Sequence, residues 1–150
     1  MTIGTIEDLI EQHEGRKLIV YDDATGRPLV PGSKVVGNPT FGVGHNGQKP
    51  LSTAAVNQIK TDDIADATAE CVAIFGDAWP TFTAPRQAAF IDMAFELGEN
   101  GLAKFEHMVA AAQVGQWQNV AAEALASAWA AQVPERAKTD AAMLLSGEWP

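Results

Sequence analysis

Between Gly26 and Pro50 a glycine or proline recurs every few residues, whereas from Ser52 to Phe75 there is neither. Glycine is costly and proline close to prohibitive inside a helix, so the first segment has to be short strands and turns. The second can run as one long helix, with Ser52 as its N-cap and Val56, Ile59, Asp63 and Ile64 along it. At the start of the chain, Thr5-Ile6-Glu7-Asp8 sets a capping hydroxyl three residues ahead of a carboxylate. Ile6, Leu9, Ile10 and His13 then recur at helical spacing, and Gly15 is the natural stop. Lys17 to Tyr21 is β-rich, Asp22 to Pro28 has turn chemistry, and Lys34-Val35-Val36 and Phe41-Gly42-Val43 predict further short strands in a small antiparallel sheet of hairpins. Thr83 opens another helix, with Ala88, Phe90, Ile91, Ala94, Phe95 and Leu97 on its apolar face and Gly98 at its end. Shorter helices are expected at 105–113, 116–129 and 134–146. The fold class is therefore α+β: an N-terminal helix and β lobe at about 1–51, a connecting helix at about 52–75 and a helical lobe at about 76–150, all in a single domain.

Bulk properties narrow the function classes. A chain of 150 residues, 47% hydrophobic, can bury a real core. No stretch approaches the roughly 18 to 20 apolar residues of a membrane span, and the N-terminus, with Glu7, Asp8, Glu11 and Glu14, has no basic segment leading into an apolar run, so no signal peptide is read. Cys71 is the lone cysteine, which excludes an internal disulfide and reads as a buried structural thiol. The net charge of −9 argues against nucleic acid, which asks for a basic footprint. Residues 1–60 hold six basic and six acidic side chains, so residues 61–150, with four basic against thirteen acidic, carry all of that charge.

The chemistry concentrates in Glu14, at the end of the first helix, Asp23 after eight intervening residues, and Thr40, which opens Thr40-Phe41-Gly42-Val43-Gly44-His45. Cleaving an acetal needs a group that delivers a proton to the leaving oxygen and an ionised group that manages water. A helix C-terminus disfavours a second negative charge, and partial burial adds to that, which suits Glu14 to the first task. Asp23, in a turn, should be more exposed and stay ionised. Singly, each is more often an exposed helix carboxylate or a turn former.

These residues resemble a known pattern. Glu14-Gly15, Leu18, Tyr21, Asp23, Gly26 and Thr40-x-Gly42-x-Gly44-His45 are similar to the motif of the phage-type lysozymes, glycoside hydrolase family 24. The likeness continues through Asp92-Met93-Ala94-Phe95-Glu96-Leu97-Gly98-Glu99-Asn100-Gly101, Phe105, Trp117, Trp129, Gln132-Val133-Pro134-Glu135-Arg136-Ala137 and Gly147-Glu148-Trp149. That run resembles the helical lobe of the T-even branch of the family, so the likeness covers nearly the full chain. It implies a lysozyme-like fold of a small β-hairpin lobe and a larger helical lobe joined by a long helix. It also implies an inverting hydrolysis of the β-1,4 bond between N-acetylmuramic acid and N-acetylglucosamine in peptidoglycan. Glu14 would then be the general acid, Asp23 the carboxylate that positions or activates water, and Thr40 the hydroxyl that helps to hold it. By the same resemblance Arg136 pairs with the catalytic glutamate, His45 forms an ion pair with Asp63 on the connecting helix, and Phe95 is an aromatic at the cleft that contacts substrate. The partner implied is the peptidoglycan glycan strand, met by a monomer that needs no cofactor or metal, binds no nucleic acid and does not insert stably in a membrane. A phage or prophage origin follows, with accumulation in the host cytoplasm and holin-dependent release to periplasmic peptidoglycan.

The chain also departs from the pattern. Between Asp23 and Thr40 lie sixteen residues, Ala24 to Pro39, where the family motif has about five; since lengthening a surface loop costs little, the excess of about eleven reads as a lengthened hairpin tip or a lip on the cleft, able to displace Asp23. Met108 and Glu123 stand where the T-even branch has sugar-contacting residues, so those contacts do not carry over. The alternatives are a lytic transglycosylase on the same fold, which needs the glutamate but no water-directing aspartate, and a catalytically inactive wall-binding module.

Overall fold

The computed structural model describes residues 5–98 and 100–150, without the side chain of Leu9. Leu9's place on the first apolar stripe, Glu99 of the stretch quoted above, and Met1 to Gly4 of the N-terminus lie outside the described residues. The chain forms two compact units, Met1–Thr53 and Ala54–Pro150.

In the first unit, helix α1 (Ile6–Glu14) opens with a complete capping box. The Thr5 hydroxyl accepts the Asp8 N–H at 3.1 Å, and the Asp8 carboxylate accepts the Thr5 N–H at 3.2 Å, an arrangement worth about 1 kcal/mol against an uncapped end. Gly15, at φ +70°, ends the helix with its N–H on Glu11 O and turns the chain into β1 (Lys17–Asp22). Two further strands, β2 (Pro39–Gly42) and β3 (His45–Asn46), complete an antiparallel sheet in the order β1-β2-β3. The β2–β3 turn uses Gly42 and Gly44, both at positive φ, where a side chain would be strained. Register sets Tyr21 opposite Thr40, Asp22 opposite Pro39, and Thr40 opposite Asn46.

Lys34-Val35-Val36 form no strand, contrary to the expectation from their β-rich composition. The reason is local: the Val36 N–H donates to the Asp22 carboxylate at 2.5 Å, which takes away the donor a ladder would need.

The second unit is helical: α2 (Thr53–Phe75), a 3-10 turn at Gly76–Thr81, α3 (Ala84–Leu97), α4 (Glu106–Gln113), α5 (Trp117–Leu125), α6 (Ala128–Gln132) and α7 (Pro134–Ser146). Its core is an aromatic cluster. Phe75 lies 4.4 Å from Phe90, 5.3 Å from Phe82 and 5.8 Å from Trp79 between ring centroids, and Phe82 meets Trp117 edge-on at 5.0 Å, geometries that add to plain burial. Cys71 is fully buried beside this cluster, and burial pushes its thiol pKa up to about 12. Arg86 on α3 donates to the Leu144 and Leu145 carbonyls at the end of α7, and its guanidinium lies 4.0 Å from the Trp117 ring centroid; the cation satisfies carbonyls that have no partner within their own helix.

The helix expected at 116–129 is two helices, because Ser127 leaves the helical conformation and caps α6 by accepting the Ala130 N–H. Thr83 holds the N-cap position of α3, yet its hydroxyl donates to Gly147 O at 3.0 Å and makes no cap bond. Among the described residues no helix is long and apolar enough to cross a membrane.

Candidate active site

Glu14, Asp23 and Thr40 all belong to the first unit, Glu14 beside the β2–β3 turn and Asp23 and Thr40 at the paired ends of β1 and β2. Glu14 is the last residue of α1 and is exposed, where partial burial was expected. Its carboxyl lies against the β2–β3 turn: a Cβ built on Gly44 would come within 2.8 Å of Glu14 Oε2 and 3.1 Å of Cδ. A side chain there would push the carboxyl aside, and the backbone at φ +66° favours glycine as well.

Asp23 follows β1 directly and is held chiefly by Asn38. The Asn38 N–H donates to Asp23 Oδ1 at 2.7 Å, its side-chain amide donates to Oδ2 at 3.0 Å, and its carbonyl accepts the Asp23 N–H at 3.1 Å. The Asn38 N–H, and then its side-chain amide, hold the Asp23 carboxyl below the usual carboxylate value, because both bond the charged form. Thr40, in the middle of β2, is buried, and its hydroxyl donates to the same Asn38 carbonyl at 3.3 Å. Asn38 therefore joins the carboxylate to the hydroxyl.

The sixteen residues between Asp23 and Thr40 leave the pairing of their two ends intact. Asp22 is why. Buried at 2% exposure, its carboxylate accepts N–H groups from Ala24, Thr25, Val36 and Gly37, and these donors, Val36 first, hold its pKa low. Adjacent acids thus divide the work: Asp22 ties the base of the long connection, and Asp23 faces outward.

The other expected site residues lie as follows. His45, on β3, packs its ring on Phe41 at 5.0 Å, and its Nε2 is buried without a hydrogen-bond partner. Asp63 is an exposed residue of α2, in the second unit. Arg136, on α7, forks onto Asp92 of α3 through Nε at 2.6 Å and Nη2 at 2.8 Å, and pairs with Glu96 one turn on. This geometry suits a guanidinium, and the Asp92 bond raises the arginine's pKa while lowering the aspartate's. Beside them Asp140 is buried, and desolvation, then the Asp92 charge, push its carboxyl up to about 7. Phe95 is 45% exposed on α3. It lines a groove of about 630 Å³ in the second unit with Asp63, Asp66, Glu70 and Asn100.

Two contributors are not singled out by the sequence, Asn38 and Asp22; Gly44 stands in the motif, but without its contact to Glu14. Asn38-Pro39 reads as turn chemistry, and Asp22 enters only as the first residue of the turn segment that runs to Pro28. The one available signal is the pair of consecutive aspartates at a strand end, a place where one can bond the backbone while the other does not.

Comparison with known proteins shows the family. A model of the phage lysozyme family matches residues 11–139, a span that contains Glu14, Asp23 and Thr40. The chain is also 25% identical, over 161 aligned positions, to the pre-baseplate central spike protein Gp5 of Enterobacteria phage T4; the alignment covers 95% of this chain and 28% of that relative. With a small three-stranded sheet in the first unit, a helical second unit, and a family match over most of its length, the chain belongs to the phage lysozyme family.

Proposed function

We propose that this protein is a muramidase that hydrolyses the β-1,4 bond between N-acetylmuramic acid and N-acetylglucosamine in peptidoglycan with inversion, in the service of host-cell lysis. The observation that carries the reading is the Asn38 joint, which presents an ionised Asp23 and the Thr40 hydroxyl together. Asp23 takes the proton of the attacking water. Thr40 has its own proton on the Asn38 carbonyl, so toward water it acts as an acceptor and orients the molecule. Glu14 protonates the leaving oxygen. An inverting site keeps its carboxyl groups roughly 6.5 to 9.5 Å apart so that water fits between base and sugar. By resemblance, Arg136, His45 with Asp63, and Phe95 carry the supporting and substrate-binding roles, and a holin releases the protein from the host cytoplasm to the wall.

The test is lysis of chloroform-permeabilised Gram-negative cells by Glu14→Gln and Asp23→Asn. Each should lower the rate by at least about a hundredfold, the usual range for losing an acid or base. Unchanged lysis by both variants would refute the enzymatic reading. Products should be reducing ends released with inverted configuration; 1,6-anhydromuramic ends would assign a transglycosylase.

A further inference from the structure

Apart from Asn38 at its end, Ala24–Pro39 has no part in the acid–base reading, yet it is a braced structure. Asp22 bonds N–H groups at both of its feet, Ala24 and Thr25 on entry and Val36 and Gly37 on exit. Further out Tyr21 bridges Pro28, the Leu29 N–H donates to Val20 O at 2.9 Å, and the Ser33 hydroxyl accepts the Val30 N–H at 3.0 Å. The exit foot lies on the proposed base itself: a Cβ on Gly37 would run into Asp23 Oδ1. The outer surface is unlike the rest of this acidic chain. It has no Asp or Glu and carries Arg27 and Lys34, neither of which forms an ion pair among the described residues. Val30 is 63% and Val36 70% exposed, and Val35 is exposed as well.

We propose that this lip reads the acidic, alanine-rich peptide stem of peptidoglycan, with Arg27 and Lys34 taking stem carboxylates and Val30, Val35 and Val36 packing on its methyl groups. The inference rests on the muramidase reading, because the stem hangs from the same muramic ring whose anomeric carbon would be attacked. A stem of about five residues extends about 17 Å, so a lip whose feet touch Asp23 is within its reach. Charge complementarity identifies the occupant. Once the lactyl carboxylates are amide-linked, the sugar strand is neutral, and the free acids are on the stem.

Two measurements test it. Arg27→Gln/Lys34→Gln should lose about tenfold in kcat/KM on intact sacculi, an effect sized for two exposed cations, and should match the parent protein on glycan strands stripped of peptide by an amidase and then capped as neutral lactyl amides. An equal loss on both substrates, or on neither, would overturn the proposal. Independently of turnover, amide NMR shifts of the Glu14→Gln protein should move at residues 27–37 on adding a disaccharide-tripeptide muropeptide and stay still with the bare disaccharide. If no wall substrate is cleaved, the muramidase reading fails alone, and the titration still decides the lip. Shifts there with anionic phospholipid vesicles but not with muropeptide would assign a membrane surface and overturn it.

Discussion

Asn38 directs both of its donors at one carboxylate and its carbonyl at two donors. The consequence is that Asp23, the proposed base, stays ionised further into acid than an ordinary aspartate. Asn38→Ala removes the side-chain amide and leaves the backbone N–H, so the Asp23 pKa should rise part of the way back toward 3.8. The acid limb of the kcat/KM profile should therefore move to higher pH, and an unmoved limb would show that Asp23 is not the group titrating. Stability follows the same sign. A carboxyl with a depressed folded pKa stabilises above its unfolded value and loses that contribution as pH falls through the folded one. The Tm gap between parent and variant should then close at low pH. Spacing from Glu14 was enough to select Asp23 from the sequence. It could not find Asn38, because a residue on the far side of a long connection becomes a neighbour only when Asp22 closes that connection.

Elements were legible where local chemistry decides and less so where packing does. The box at Thr5 and the stop at Gly15 are visible in the sequence because capping is a matter of a few adjacent residues. On α2 the larger apolar residues Val56, Ile59 and Ile64 are exposed, and the buried face is Ala67, Cys71 and Phe75; small side chains that let helices approach carry little weight in a hydrophobic pattern. The contact between α3 and α7 holds the most testable of these hidden features. Asp140 is buried with its carboxyl raised to about 7, first by desolvation and then by the Asp92 charge. The native state thus keeps a proton that the unfolded chain releases from about pH 3.8 upward. By linkage its contribution is most favourable below that value and declines as pH rises to about 7. Asp140→Asn keeps the shape and a donor toward Asp92 without the charge. It should raise Tm by on the order of 5 °C at pH 8 and change it little at pH 4; an equal offset at both pH values would mean the effect is packing alone.

Across the whole molecule, charge and chemistry are divided along the chain. The proposed acid–base residues sit in a unit whose ionic groups nearly balance, while residues 61–150 hold the net −9. That partition was readable by counting, as was the α+β class from the break in glycine and proline at Ser52. Peptidoglycan carries negative charge of its own, and the two cations on the lip are outnumbered. Moderate salt, near 0.1 M where the screening length is about 10 Å, should raise the rate of wall lysis over that at very low salt. A rate that falls steadily from the lowest salt upward would contradict this. The buried thiol of Cys71 has a practical use. A chain with a single cysteine, shielded from solvent and held in its unreactive form, can be labelled only when the helical unit opens. The rate at which a disulfide reagent in excess colours the unmodified protein is then a stopwatch on that opening, with no engineered probe and no background site.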